Sequence, residues 1–354
     1  MLSWRPVARG IAISIVCVYL LAVDDQRAGK RSHREKDHLT KDRAVIRTYA
    51  AFLVLGTLWG SNFIYMKWAS VFLSPGQISL LRVFFGFAPL AILAWRKKVL
   101  KFEQVRDLHH FGVMAALATA FSYFTMAKGT ALLPSSIAGV LGGSPALFTS
   151  VASVVLLRNE KMNGLMVSGV ALGMAGIALI ARPWAGFASG SAISGQGIMW
   201  MLAGSVAFGL SYIYVRRFLA SVNLPPLAIV TWQMGLAFLM LLFSTDMTGA
   251  SRILEDWQAT TGLVVGLGLL GTGVAFLLYY YLLDRLGAVA ASGAVYVAPV
   301  VALIIGRLVG ERVGALEFVA VLIIFSGLAL LEFGRMTAER RKESVVTSSA
   351  LSLD

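Results

Sequence analysis

Cysteine is nearly absent. Cys17 alone in 354 residues excludes a disulfide framework and a cysteine-rich metal site. Charge is scarce too: Asp, Glu, Lys and Arg make up 14% of the chain, too little to cover a soluble fold of this size. No Asp, Glu or His falls in the middle of a long apolar run, which excludes an intramembrane protease dyad. The four histidines (His33, His38, His109, His110) lie in or beside polar segments, where a solvated role suits them. No Gly-x-x-x-x-Gly-Lys-Ser/Thr pattern occurs, so no nucleotide-driven motor is encoded here. The glycine-rich stretch 262–273 lies in an apolar run, and helix packing explains it better than phosphate binding. The sequence therefore points away from an enzyme and calls for no cofactor and no metal.

What is abundant is apolar surface. Hydrophobic residues make up 58% of the chain and mean hydropathy is +0.76, the signature of an all-α polytopic membrane protein. A net charge of +13 would suit a nucleic-acid binder, but the basic residues sit in short blocks between apolar runs. That distribution is the loop bias of a membrane protein, so the expected partner is the lipid bilayer and not nucleic acid.

Ten transmembrane helices are expected, over 49–68, 76–95, 109–128, 132–156, 163–181, 196–215, 226–244, 262–283, 287–308 and 315–333. With the N-terminus inside, 22 lysines and arginines fall on cytoplasmic segments and six on the other face. This asymmetry predicts a multi-pass plasma (inner) membrane protein with both termini cytoplasmic.

The first 47 residues fit that plan badly. Residues 10–23 form an apolar run preceded by Arg5 and Arg9, short for a span and without a good cleavage site. A densely charged stretch, 24–47, follows and is expected to lack structure. The segment reads as a dispensable leader or a mis-assigned start, with an extra helix as the alternative. A chain beginning at Val45 is expected to insert and transport like the full chain. Loss of insertion on truncation would make the leader a true element.

The chain is organised around a duplication. Leu132–Glu160 and Leu286–Glu311 are both long apolar runs with small residues first, a central proline and a terminal glutamate. A shift of 154 sets Pro145 on Pro299 and Gly139 on Gly293. The repeat extends outward: Trp59-Gly60 matches Phe208-Gly209, Arg82 falls on Gln233, and Gly176 and Leu179 match Gly327 and Leu330. Five helices repeated after an odd number of crossings insert upside down relative to each other. The domains are thus two inverted five-helix repeats, 48–182 and 195–333, with a cytoplasmic tail over 334–354. Secondary transporters share this plan, with a substrate site near the midplane between the halves.

Candidate site residues follow from polarity inside apolar runs. Arg82 is the one charge well inside a span; it either attracts an anion or extends its stem toward the interface. Trp59, Asn62 and Tyr65 recur at helical spacing, and Asn62 needs a partner in a neighbouring helix or a substrate. Tyr123, Tyr212 and Tyr279 combine aromatic area with hydroxyls, which suits a cavity for small amphipathic molecules. Of the run Tyr279-Tyr280-Tyr281, at most two face inward. Gly139, Pro145, Gly293 and Pro299 are hinge or packing positions, since each proline frees a carbonyl and bends its helix. Glu160 and Glu311 are expected to cap the helix that follows each.

Leu58-Trp59-Gly60-Ser61-Asn62-Phe63, Leu81-Arg82 and the paired proline-helix-glutamate segments resemble the EamA-type members of the drug/metabolite transporter superfamily. The resemblance covers about 49–333. Two departures matter: the proline-to-glutamate spacing is 15 in the first copy and 12 in the second, and only Gly310-Glu311-Arg312 keeps the Gly-Glu-Arg ending. The resemblance implies secondary transport of a small molecule through a cavity lined by spans one, three, four, six, eight and nine. Trp59, Asn62, Tyr65, Arg82, Tyr123, Tyr212, Gln233 and Tyr279 are the expected substrate contacts. Export of amino-acid-like metabolites is the expectation; sugar-phosphate or nucleotide-sugar exchange, and a non-transporting membrane protein, are the alternatives. Protons as a coupling ion and uncoupled facilitation both fit.

Overall fold

The structure is a computed structural model that describes residues 33–156, 162–181, 194–219, 224–312 and 314–351, with side chains described from Ile46 and not at 284, 286–292 or beyond 338. Helix is the only regular structure among the described residues, which hold no strand. Among the described residues, nine helices are long and apolar enough to cross a membrane, and a shorter apolar one stands where span nine is expected. We label them α1 (His33–Ala69), α2 (Pro75–Arg96), α3 (Phe102–Leu132), α4 (Ser135–Leu156), α5 (Gly164–Ala181), α6 (Gly195–Leu219), α7 (Pro226–Ser244), α8 (Trp257–Leu283), α9 (Ala294–Leu308) and α10 (Ala315–Leu351).

Element edges differ from the sequence expectation in three places. The helix of α1 begins at His33, inside the charged stretch expected to lack structure. The helix of α8 runs on to Ser292, past the turn expected at 284–286. Ala288, Ala290 and Ala291 are strong helix formers, and the break waits for Gly293. So α9 starts at Ala294, and its 15 residues span about 22 Å. At the other end, α10 continues as helix to Leu351.

α4 is broken in the middle. Pro145 has no N–H to give, and its ring disfavours helical backbone at Ser144. The chain tightens across Gly142–Ser144: Gly143 N donates to Val140 O (3.1 Å), and Ser144 N (3.0 Å) and Oγ (2.6 Å) both donate to Leu141 O. The freed space is used. A Cβ on Gly143 would stand 2.9 Å from Pro299 Cγ, and one on Gly142 would strike the ring of Phe63. The two proline segments thus meet across the repeat boundary, while Pro299 itself sits inside an unbroken α9.

The halves interleave. α1 packs on α8 and α9, as α6 packs on α3 and α4; α2 packs on α8 as α7 does on α3; and α2 meets α7, α4 meets α9, α5 meets α10. Exchanging each helix for the one five places on returns these same pairs, as two related five-helix units require, whereas α3 also meets α1 and α2 without a counterpart of similar extent among the described residues. In lipid such pairs are held by close packing and hydrogen bonds more than by hydrophobic transfer. α5 and α10 illustrate it: a Cβ on Gly169 would lie 2.7 Å from Gly327 O, and one on Gly176 2.9 Å from Ala320 O. Asn163 closes that pair, its Nδ2 donating to Gly334 O at 2.6 Å while its Oδ1 caps α5 through Met166 N at 2.9 Å.

Candidate functional site

α2 is set at a fixed height by its first turn. Ser74 and Gln77 form a reciprocal capping box with Pro75 at the first helical position. Gln77 Nε2 then donates to Asp246 O (2.9 Å) and Thr248 O (3.0 Å), tying this end of α2 to the α7–α8 loop. The loop is itself ordered: the hydroxyl and N–H of Thr248 donate to Asp246 and hold its carboxyl below the usual range. Less than two turns further along α2 stands Arg82.

Arg82 is 6% exposed. Its Nε donates to Thr272 Oγ1 at 3.0 Å, and its guanidinium carbon lies 3.8 Å from the centre of the Tyr123 ring. A ring face and a hydroxyl are thus what the protein offers a buried cation. Both partners sit at wide-turn helix. Thr272 is in the π-helical stretch Gly262–Val274 of α8, and Tyr123 follows the π-helical stretch Ala115–Phe121 of α3. Such stretches widen the helix and disturb its ladder, and they recur at functional sites.

The repeat-mate of Arg82 repeats the bond. Gln233 on α7 donates from Nε2 to Thr119 Oγ1 at 2.8 Å, and Thr119 lies in the π-helical stretch of α3. Arg82 to Thr272 and Gln233 to Thr119 are therefore one contact made twice. Only the first copy carries charge.

Trp59 and Tyr279 meet with ring centres 5.9 Å apart. Asn62, 4% exposed, donates from Nδ2 to Gly271 O at 3.3 Å, and its Oδ1 is buried without a hydrogen-bond partner among the described residues. Gly271 is required there, because a Cβ would run into Asn62 Oδ1 and stand 2.8 Å from Gly266 O. Gly271→Ala is expected to separate α1 from α8 and lower folded yield severalfold, while Gly112→Ala, at an open position, leaves it unchanged. Size-exclusion yield in detergent is the measurement.

Tyr212 is 44% exposed although it belongs to a span. It lies within electrostatic reach of Tyr279, Tyr296, Tyr123 and Arg335, residues of α8, α9, α3 and α10. Tyr65, by contrast, faces another way: it is buried, lies 5.7 Å from the Trp68 ring and packs on Gly266. Tyr280 packs among residues of α2, α3 and α7, and Tyr281 lies beside Arg285.

One end of the bundle is fastened across the repeats. Glu311 accepts from Ser135 N (2.7 Å), Ser136 N (2.9 Å) and Ser136 Oγ (2.6 Å). The carboxylate expected to cap the helix after it instead caps α4, 175 residues earlier, whose first N–H groups lack partners of their own. α10 has Glu317 in its own first turn. Lys67 Nζ reinforces the closure by donating to Thr130 O (3.3 Å) and Ala131 O (2.9 Å). Glu160 lies outside the described residues.

Sequence reasoning passed over Thr119 and Thr272, which look like ordinary span threonines until the π-helical turns aim them. It also passed over Tyr296, Glu332 and Arg335. A span edge drawn at 333 put Glu332 at the membrane rim and Arg335 in the tail, whereas the apolar helix runs to Ala338.

A pseudo-symmetric bundle with tyrosines and, among the described residues, one buried cation between its halves is the architecture of a membrane carrier. Residues 46–182 and 195–333 each match the EamA-like transporter family, and the chain belongs to that family. It is 24% identical over 299 residues to "Uncharacterized transporter YoaV" of Bacillus subtilis, covering 84% of this chain and 100% of that one. It is 27% identical to "Uncharacterized inner membrane transporter YedA" of Escherichia coli, covering 83% and 93%. It is 25% identical to "Probable terminal-alkyne amino-acid exporter" of Streptantibioticus cattleyicolor, covering 81% and 96%. A solved crystal structure with a TM-score of 0.52 and 18% identity covers 79% of this chain and 97% of its own, a likeness of fold.

Proposed function

We propose that this transporter exports small amino-acid-like metabolites by alternating access between its two five-helix halves. The observation that carries the reading is Arg82: a cation buried between α2, α3 and α8, matched by protein at Nε, with its Nη groups left for a carboxylate. Trp59, Asn62, Tyr123, Tyr212 and Tyr279 surround the route with rings and a few polar atoms, which suits a small amphipathic substrate. The relative named as an amino-acid exporter supports the same class. Sugar phosphates would call for several buried cations. Lys67 and Lys128, at span ends, are occupied by carbonyls and by the Trp200 ring at 4.1 Å.

The Glu311 and Lys67 contacts close one end while Tyr212 stays exposed, an arrangement suited to a state open on one side. The basic-residue bias assigns the open end to the cytoplasm. Reporter fusions after residues 105, 186, 250 and 340 are expected to read in, out, out, in; the reverse pattern would overturn the orientation. The function is tested by uptake into inverted vesicles, with and without an imposed pH gradient, of amino acids, nucleobases and sugar phosphates. Saturable amino-acid flux is expected. Flux confined to sugar phosphates would replace the substrate reading, and no flux of any probe by folded protein would count against it.

A further inference from the structure

A second polar cluster lies within electrostatic reach of Tyr212, and the carrier reading leaves it unused. Glu332 and Arg335 stand one turn apart on α10, joined by a single Nη1–Oε2 contact of 3.4 Å. Tyr296 of α9 donates its hydroxyl to the same Oε2 at 2.9 Å. Arg335 Nη2 donates to Ser150 Oγ of α4 at 3.2 Å. The cluster thus joins helices of both halves, the units that must part during transport.

The pair is underused as a tie. A fork-to-fork ion pair would engage both carboxylate oxygens at shorter range. Here Oε2 alone takes the hydroxyl and the guanidinium, and Oε1 and Arg335 Nε have no protein partner among the described residues. The side chains of Arg335 and Glu332 remain 30% and 18% exposed. Tyr212 is within electrostatic reach of Arg335 and Tyr296 and also of Tyr123, the residue under Arg82.

We propose that Glu332 and Arg335 form a loading site for an α-amino-acid zwitterion, with the ammonium on Glu332 and the carboxylate on Arg335. A zwitterion supplies one charge of each sign and replaces the long internal contact with two external ones, so no net charge is carried into apolar surroundings. Tyr296 holds the glutamate in place as the arginine lets go. Tyr212 is then the step between this site and Arg82, where the carboxylate arrives next. The assignment rests on the amino-acid reading of the carrier.

The test uses full-length protein in liposomes and three probes of one skeleton: L-phenylalanine, phenylpyruvate and phenethylamine, beside a pool of labelled neutral L-amino acids. If wild-type protein carries no member of the pool, the amino-acid reading fails, and this site fails with it. If it does, Glu332→Gln and Arg335→Gln are each expected to raise KM tenfold or more with kcat changed less than threefold. Selectivity should fall in opposite senses, with phenylpyruvate competing better in Glu332→Gln and phenethylamine in Arg335→Gln. Tyr296→Phe, which keeps the ring, guards against misfolding and is expected to raise KM about threefold. Equal KM in all variants, or equal losses for the three probes, would overturn the loading site while leaving amino-acid transport standing.

Discussion

Glu311→Ala is expected to abolish transport and to open the closed end of the bundle. Three hydrogen bonds converge on this carboxylate from Ser135 and Ser136, two of them from the otherwise unpartnered N–H groups that start α4. Hydrogen bonds to a charged acceptor contribute about 1.5–3 kcal/mol each, and their sum is reduced here because Glu311 is half-exposed. We expect a net loss of about 2–4 kcal/mol, with Glu311→Gln intermediate because an amide oxygen still accepts. Every 1.4 kcal/mol is about tenfold in a two-state balance, so even the glutamine variant should shift markedly between open and closed ends. The readout is thiol labelling. With Cys17 replaced by serine, a cysteine placed at the buried Ala138 is expected to react slowly in the parent and at least fivefold faster in Glu311→Gln. Unchanged labelling with unchanged transport would sink the idea that this contact is a latch.

The second large effect is expected at Arg82. Arg82→Ala should reduce transport per folded molecule more than tenfold while folded yield falls less. Arg82→Lys keeps the charge but loses both the flat face that lies on Tyr123 and the fork that meets a carboxylate, and should recover only part of the activity. Gln233→Ala removes the equivalent bond in the other half without removing a charge, and is expected to cost less than threefold. If yield and activity fall together in both Arg82 variants, the arginine is there for packing.

The duplication was legible because it is written in local terms: apolar runs of bilayer length, a proline in each copy, and arginine set against glutamine. Arg82 announced itself as a charge among apolar residues, and Trp59 and Tyr279 as aromatics that do meet. What stayed hidden depends on the other half of the chain. The spacing of Glu311 to its own helix says nothing of Ser135, which only the crossing of α9 and α4 brings near. Thr272 looks like any span threonine until a π-helical turn directs it at Arg82. Tyr65 fell on the same helical face as Trp59 by spacing, yet neighbouring helices divide that face between the tyrosine cluster and Gly266. The end of α8 was misjudged because Asp284 and Arg285 suggest a loop, whereas alanine carries the helix on to Gly293.

The charged bond of Arg82 and its uncharged twin at Gln233 carry a consequence for energetics. Two identical halves would make the forms open to either side equal in free energy. On the alternating-access reading proposed above, a cation in one half and an amide in the other lifts that degeneracy, and the empty carrier would rest preferentially at one face. Such a bias lets substrate be half-saturating at different concentrations on the two sides. It does not by itself drive net flow, because a passive cycle must still come to rest at equal concentrations. The lopsided pair therefore sets where the carrier waits, and only a gradient sets which way the cargo goes.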